Sequence, residues 1–235
     1  MKIFRRTVMF WTPLVLISLL LLLLGYRTYS HGLARHIADI YAGAVRDIVV
    51  LGLIIPITAL LLLWKIADSM SGSRMLAFQS RENWWKAISR ILIKDCIGMT
   101  GVLLLPVSIM ANVCISFMHT WGEITYVFFV FLTWFLYFYF VAVCMVLIMA
   151  TIRRSIVAFC FALLISYMPN AMASLLRQLE LPTIGGIFSL SYAFNGNEFR
   201  WVLCQNLCAF LLCLLVLMWH IGKALMQKRD IFWRM

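Results

Sequence analysis

Residues 124–151 read ITYVFFVFLTWFLYFYFVAVCMVLIMAT and contain no Asp, Glu, Lys, Arg or His. A helix of about 20 apolar residues is long enough to cross a hydrocarbon layer roughly 30 Å thick. A water-soluble domain rarely buries a run of this length on all of its sides. This stretch therefore predicts a transmembrane helix.

Five other apolar runs of similar character occupy most of the remaining chain. The predicted spans are residues 8–26, 48–66, 97–118, 124–151, 155–176 and 200–221. Of the 235 residues, 64% are hydrophobic and only 12% are charged, which leaves too little polar sequence to coat a globule. The sequence predicts an all-α membrane protein, with residues 1–235 forming a single domain of six transmembrane helices.

The basic residues are distributed unevenly between the predicted loops. The two tails, the loop between spans two and three and the turn after span four hold 15 of the 20 Lys and Arg residues. Because short basic loops resist translocation, these segments and both termini are predicted to be cytoplasmic. The net charge of +11 then reflects membrane topology rather than a nucleic-acid partner. The pattern favours a multi-pass protein of the bacterial cytoplasmic membrane.

The predicted cytoplasmic loop between spans two and three has two parts. Residues 67–79 are short and polar, whereas residues 80–94 have the spacing of an amphipathic helix lying along the lipid headgroups. This second part is the predicted interfacial elbow, and its candidate residues are Arg81, Trp84, Trp85, Lys86, Arg90 and Lys94. Two interpretations stay open: a simple lead into span three, or an elbow that also forms a docking surface with residues 67–79.

A second unusual segment, residues 169–199, lies between spans five and six. Pro and Gly interrupt it, and it is too polar to cross the membrane and too apolar to extend into water. We expect a short amphipathic helix at residues 171–181 and a second apolar piece at residues 184–194. Together they are predicted to enter the outer leaflet as a re-entrant segment, since irregular backbone at that depth must be covered by protein or line a cavity. An ordinary surface loop is the alternative.

Polar groups inside the predicted spans are few, and no ionisable side chain occupies the middle of a span. This argues against coupling to a proton or sodium gradient. Candidate residues for the lining of a pathway are Asn112, Trp134, Tyr137, Gln205 and Asn206. For the amides, however, interhelical hydrogen bonding is the simpler interpretation, and for the aromatic residues the simpler interpretation is contact with lipid. Cys204 and Cys208 share a helix face, but apolar packing is the preferred interpretation, and no metal site is predicted.

Catalytic motifs are missing from the sequence. It contains no HExxH, no GxSxG and no GxxxxGK[ST] phosphate-binding loop. We therefore predict that the chain is not an enzyme and binds no cofactor. Any ATP chemistry would belong to another chain.

Three features in order resemble the membrane subunit of an ABC type-2 exporter. The first is Ser80-Arg81-Glu82-Asn83, followed by Lys86 and Lys94 before span three. The second is the semi-apolar segment 169–199. The third is the ending KALMQKRDI at residues 223–231, which is similar to the closing sequence of that family.

The resemblance implies a transporter built from two membrane subunits, as a homodimer or heterodimer, and two cytoplasmic ABC ATPase subunits that bind ATP and Mg. It also implies that residues 67–79 receive the ATP-driven movement. The implied docking residues are Asp68, Ser69, Ser71, Gly72, Arg74 and Phe78. The implied substrate is an amphipathic peptide, such as a bacteriocin, or another hydrophobic compound. A non-transporting immunity or assembly factor and, less favoured, a secondary transporter are the alternatives.

Overall fold

The computed structural model describes residues 2–34, 36–70, 81–115, 121–152, 154–176, 181–195 and 198–228. Helices account for nearly all of these residues. They are α1 (Lys2–Ser30), α2 (Ile37–Ala44), α3 (Asp47–Ser69), α4 (Arg81–Ile115), α5 (Trp121–Ile152), α6 (Ser155–Leu175), α7 (Ile184–Ser189) and α8 (Trp201–Lys228). Two short strands, β1 (Phe194–Asn195) and β2 (Glu198–Phe199), pair antiparallel just before α8.

Six of these helices, α1, α3, α4, α5, α6 and α8, are long and apolar enough to cross a membrane. Each coincides with one predicted span, so the prediction of a helical, multi-pass membrane protein is confirmed. The remaining two, α2 and α7, are too short to cross and are nevertheless largely buried. They are the elements that hydropathy alone does not resolve.

The direction of the helices follows from their close approaches. A Cβ atom on Gly98 of α4 would lie 2.6 Å from the Trp11 ring of α1, and one on Gly25 of α1 would lie 2.9 Å from Met110 of α4. Contacts at increasing residue numbers on both helices show that α1 and α4 run in the same direction. This agrees with successive spans crossing in alternate directions.

The two ends of the bundle differ in character. One end, called here the basic end, is where α1 and α4 begin and where Lys86, Arg90 and Lys94 are exposed. The other, called the plug end, is where α1 ends and where α2 and α7 lie. All short buried elements are thus on the side of the bundle opposite to this row of basic residues.

Helix α5 is the central helix of the bundle and packs against α3, α4, α6 and α8. Its aromatic residues are mostly in the core: Tyr126, Trp134 and Phe138 are at most 2% exposed, while Phe128 is 61% exposed. Lipid contact therefore accounts for only a minority of this aromatic sequence. Large rings are buried here because α5 has protein neighbours on most sides.

The elbow is not a separate helix. Arg81 begins α4, which continues without a break to Ile115, a length of about 52 Å at 1.5 Å per residue. Trp84 and Trp85 are 3% and 2% exposed, so both rings pack inside the protein instead of facing headgroups. Contacts with neighbouring helices bury Trp84, Trp85 and Ile88 of this segment, and its position along the lipid headgroups stays a prediction. An amphipathic pattern does not distinguish a lipid surface from a protein surface.

Helix α3 contains a π-helical turn over Val50–Ile54, directly before Pro56. Proline has no N–H to donate to the preceding turn, and a wider turn is one way for a helix to absorb that loss. The hydroxyl of Thr58 donates to the Ile54 carbonyl at 2.7 Å. The irregularity near Pro56 is therefore a local widening of the helix.

Gly222 allows α8 to approach α4 and α5 at the basic end. A Cβ atom there would lie 2.5 Å from the Trp85 ring and 3.0 Å from Leu147. We expect Gly222→Ala to lower the free energy of unfolding by about 1–3 kcal/mol through overpacking. The thermal unfolding midpoint in detergent measures this. Gly101→Ala is the control, because its nearest neighbour is Leu105 at 3.7 Å; an equal loss in both variants would contradict the packing described.

Candidate functional site

The short helix α7, called here the plug, is inserted between longer helices at the plug end. It contacts α2, α3, α5 and α6. Ile184 and Phe188 are completely buried. The Phe188 carbonyl accepts a hydrogen bond from Trp134, which lies about 20 Å along α5 from its first residue. The plug therefore penetrates well below the end of the bundle.

Side chains satisfy the backbone N–H groups at the start of the plug. Ile184 donates to Asn170 Oδ1 at 2.7 Å, and Gly185 donates to Asp47 Oδ1 at 2.7 Å. Gly186 donates to the hydroxyl of Thr183, the N-cap residue, at 3.3 Å. Since these N–H groups have no partner within the helix, side chains of α3 and α6 complete them. The plug is thereby tied to two neighbouring helices.

Two side chains of α5 hold the other end of the plug. The Trp134 indole N–H donates to the Phe188 carbonyl at 2.7 Å, and the Tyr126 hydroxyl donates to the Ser189 carbonyl. The chain then reverses at Leu190, which has a left-handed φ of 49°. Residues other than glycine or asparagine seldom adopt this conformation, so contacts around Leu190 must hold it in place.

The Phe188 ring packs against three aromatic rings of α5. Its ring centroid lies 4.7 Å from that of Trp134, 4.9 Å from Tyr137 and 6.0 Å from Phe138, all with edge-on geometry. The Tyr137 hydroxyl donates to Ser166 Oγ of α6 at 2.7 Å. Two of the residues predicted to line a pathway, Trp134 and Tyr137, are thus brought together around the plug.

Helix α2 supports this aromatic cluster from the other side. Tyr41 is fully buried and shares a 2.5 Å hydrogen bond with Ser108 of α4. Its ring packs edge-on against Tyr126 with centroids 5.7 Å apart. Burial raises the pKa of Tyr41 well above its ordinary value, so the hydroxyl stays neutral. α2 lies in a segment that the sequence indicates only as an outer loop.

The predicted amides do not join this site. Gln205 and Asn206 are exposed on the outer face of α8, and Asn112 is partly buried on α4. The residues missed by sequence reasoning are Asp47, Asn170 and Phe188. Thr183, directly after a proline and before an apolar run, is the local signal that predicts the start of a helix there.

Contacts at the basic end join α3 to α4. The Trp84 indole N–H donates to the Ser69 carbonyl at 3.3 Å. Lys65 Nζ lies 3.7 Å from Asp95 Oδ2 and 4.7 Å from the centroid of the Phe10 ring. The end of α3 is therefore joined to α4 by two contacts, one at Ser69 and one at Lys65.

The predicted docking residues are only partly within the described chain. Asp68 is partly buried and Ser69 is 9% exposed at the end of α3. Ser71, Gly72, Arg74 and Phe78 lie outside the described residues. Among the elbow residues, Lys86 forms a 2.9 Å ion pair with Glu82 one turn earlier.

The cysteine pair on α8 faces the core. Cys204 and Cys208 are buried, and Cys208 Sγ lies 3.7 Å from the Thr133 hydroxyl of α5. Within the described ranges, no three His, Cys, Asp or Glu residues come together as metal ligands. Apolar packing is sufficient to explain the positions of both thiols.

No protein-family model, curated protein or solved structure matches the chain. The fold and the contacts thus define a class, a multi-pass helical membrane protein with a buried plug at one end. The resemblance to an exporter subunit stays a prediction.

Asp47 offers a direct test of how the plug is held. In Asp47→Ala the buried Gly185 N–H loses its acceptor, and we expect the free energy of unfolding to fall by about 1–3 kcal/mol. Asp47→Asn keeps an oxygen in the same place and is expected to retain most of the stability. Thermal unfolding midpoints in detergent compare the two. Equal losses would show that the carboxylate acts through its charge and not through this hydrogen bond.

Proposed function

We propose that the protein is the membrane subunit of an ATP-driven exporter. The observation that carries this proposal is the plug: a short helix buried among the long helices, in contact with Trp134 about 20 Å along α5. Irregular backbone at such depth occurs where protein covers it or where it lines a cavity. In this proposal the plug is the re-entrant segment, and it seals the outer mouth of the pathway until transport opens it.

The source of energy follows from the charges of the spans. The middle of each predicted span has no Asp, Glu, Lys, Arg or His that could bind a coupling ion. Lys65, four residues before the end of α3, pairs with Asp95 of α4 and lies over the Phe10 ring of α1. Power therefore has to come from another chain, and an ABC ATPase carrying ATP and Mg is the partner that fits. The chain itself is proposed to be non-catalytic.

The basic end supplies a place for that partner. Residues 71–80 leave from α3 and return to α4, and the Trp84–Ser69 hydrogen bond joins these two helices where the segment departs. A force applied to this segment would reach both helices together. Asp68, Ser69 and the residues that follow are the proposed docking surface, and Lys86, Arg90 and Lys94 are exposed on the neighbouring helix α4.

The substrate class follows from the aromatic surroundings of the plug. A substrate that displaces the plug would meet the rings of Trp134, Tyr137 and Phe138 on α5 and few polar groups. An amphipathic peptide or another hydrophobic compound fits such a surface. We propose export of this class of substrate across a bacterial cytoplasmic membrane.

The orientation can be tested by labelling single cysteines on a background in which the native cysteines are replaced. Because the basic end is proposed to be cytoplasmic, a membrane-impermeant maleimide should label Arg27→Cys in intact cells and Arg90→Cys only after permeabilisation. Both arginines are exposed, so access to the side chain itself does not limit the comparison. Labelling of both positions in intact cells would contradict the proposed topology.

Docking can be tested by co-expressing this chain with a candidate ABC ATPase subunit. We expect the charge reversals Asp68→Lys and Arg74→Glu together to reduce its copurification at least about tenfold, since several interfacial contacts of 1–2 kcal/mol would be lost. Arg27→Glu, at the opposite end, is the control and should leave it unchanged. Undiminished binding would count against the docking surface.

A measurement of substrate-stimulated ATP hydrolysis in reconstituted vesicles distinguishes the exporter hypothesis from that of an immunity or assembly factor. An amphipathic peptide should raise the rate in vesicles containing both subunits. A complex that forms but shows no stimulation by any such peptide would favour the non-transporting alternative.

A further inference from the structure

The exposed surface of α8 has two distinct flanks. The side facing α5 is buried and consists of Cys204, Cys208, Leu211 and Leu215. The first exposed flank is bulky and apolar, as expected for contact with lipid, and comprises Leu203, Phe210, Leu217 and Ile221. The second, called here the seam, lies roughly 90° further around the helix and comprises Val202, Asn206, Ala209, Cys213, Val216 and His220.

The seam has the spacing of a coiled coil. Asn206, Cys213 and His220 are seven residues apart, and Ala209 and Val216 fall between them at the alternating steps of three and four residues. Two helices that repeat their contacts every seven residues pack side by side with a left-handed supercoil. Small residues such as Ala and Cys let the two backbones come close, which is the usual basis of helix association in membranes.

Asn206 and its neighbour Gln205 supply the second observation. Both are exposed, and they lie about 6–8 Å along α8 from Trp201, inside the apolar part of the helix. By contrast, Ser18, Thr58, Thr100, Thr133 and Ser166 are all at most 3% exposed. Hydrocarbon offers no hydrogen-bond partner, and an unpaired amide there is costly. A partner that reaches this depth with a donor and an acceptor would remove the cost.

We propose that the seam is the interface with a second copy of this chain. Two copies inserted in the same direction place Asn206 against Asn206 at the same depth, where each amide donates to and accepts from the other. A single polar residue at such a position sets the register of paired helices. The interface is then symmetric, as in most homodimers. This inference requires only that α8 spans the membrane, so it stands or fails separately from the ATPase partnership.

Cys213 provides a native reporter, since it lies on the seam one heptad from Asn206 and is exposed. In a variant whose other six cysteines are replaced, oxidation in native membranes should give a covalent dimer of twice 27.1 kDa. The matched control keeps only Cys160, which is also exposed but lies on α6. On a cysteine-free background, Ala209→Cys should form the dimer and Phe210→Cys should not.

A second measurement uses the full chain with its native cysteines. In liposomes at decreasing protein-to-lipid ratio, Asn206→Leu should weaken self-association roughly three- to tenfold, the usual effect of one interhelical hydrogen bond. Leu203→Ala, on the lipid-facing flank, should leave it unchanged. Three outcomes would each overturn the proposal. They are cross-linking through Cys160 or Phe210→Cys as strong as through Cys213, attachment of Cys213 to a different chain, and unchanged self-association of Asn206→Leu.

Discussion

The structure depends on the absence of hydrogen-bond partners in a lipid interior. A backbone N–H or C=O that leaves a helix at membrane depth has to find a protein group, or the segment is expelled towards water. The plug has six residues and cannot satisfy its own ends. Asp47 and Asn170 complete its first N–H groups, and Trp134 and Tyr126 donate to its last carbonyls. These side chains make it possible for the plug to lie inside the bundle.

The same central helix connects the plug with the basic end. α5 carries Trp134, which holds the plug, and Leu147, which lies beside Gly222 near Trp85. A displacement of α4 and α8 at the basic end therefore acts on a helix that also contacts Phe188. In the proposed exporter, this arrangement gives ATP-driven movement a physical route to the plug. The route consists of the packed side chains of α5 and its neighbours.

How far the sequence predicts the structure differs between kinds of feature. The six spans were predictable because a run such as residues 124–151 is apolar whatever surrounds it. The burial of Trp84 and Trp85 was not predictable, because their rings suit a lipid surface and a protein core equally well. The depth of residues 184–189 was suggested by their mixed polarity, yet their partners were not, since Asp47 is 138 residues away from Gly185 along the chain. Trp134 and Tyr137 lie together around Phe188, whereas Gln205 and Asn206 lie on another surface, and a pathway lined by any of them stays a prediction.

By itself, the sequence determined that this is a helical membrane protein with six apolar spans, and it predicted a basic side. Hydropathy and charge are sums over neighbouring residues, so they can be read without knowing the fold. Only the tertiary structure decided which rings surround Phe188, which carboxylate completes the plug, and that Asn206 faces outward. These properties depend on which faces of distant helices meet, and an apolar helix in lipid has no single face that its composition marks as the inner one.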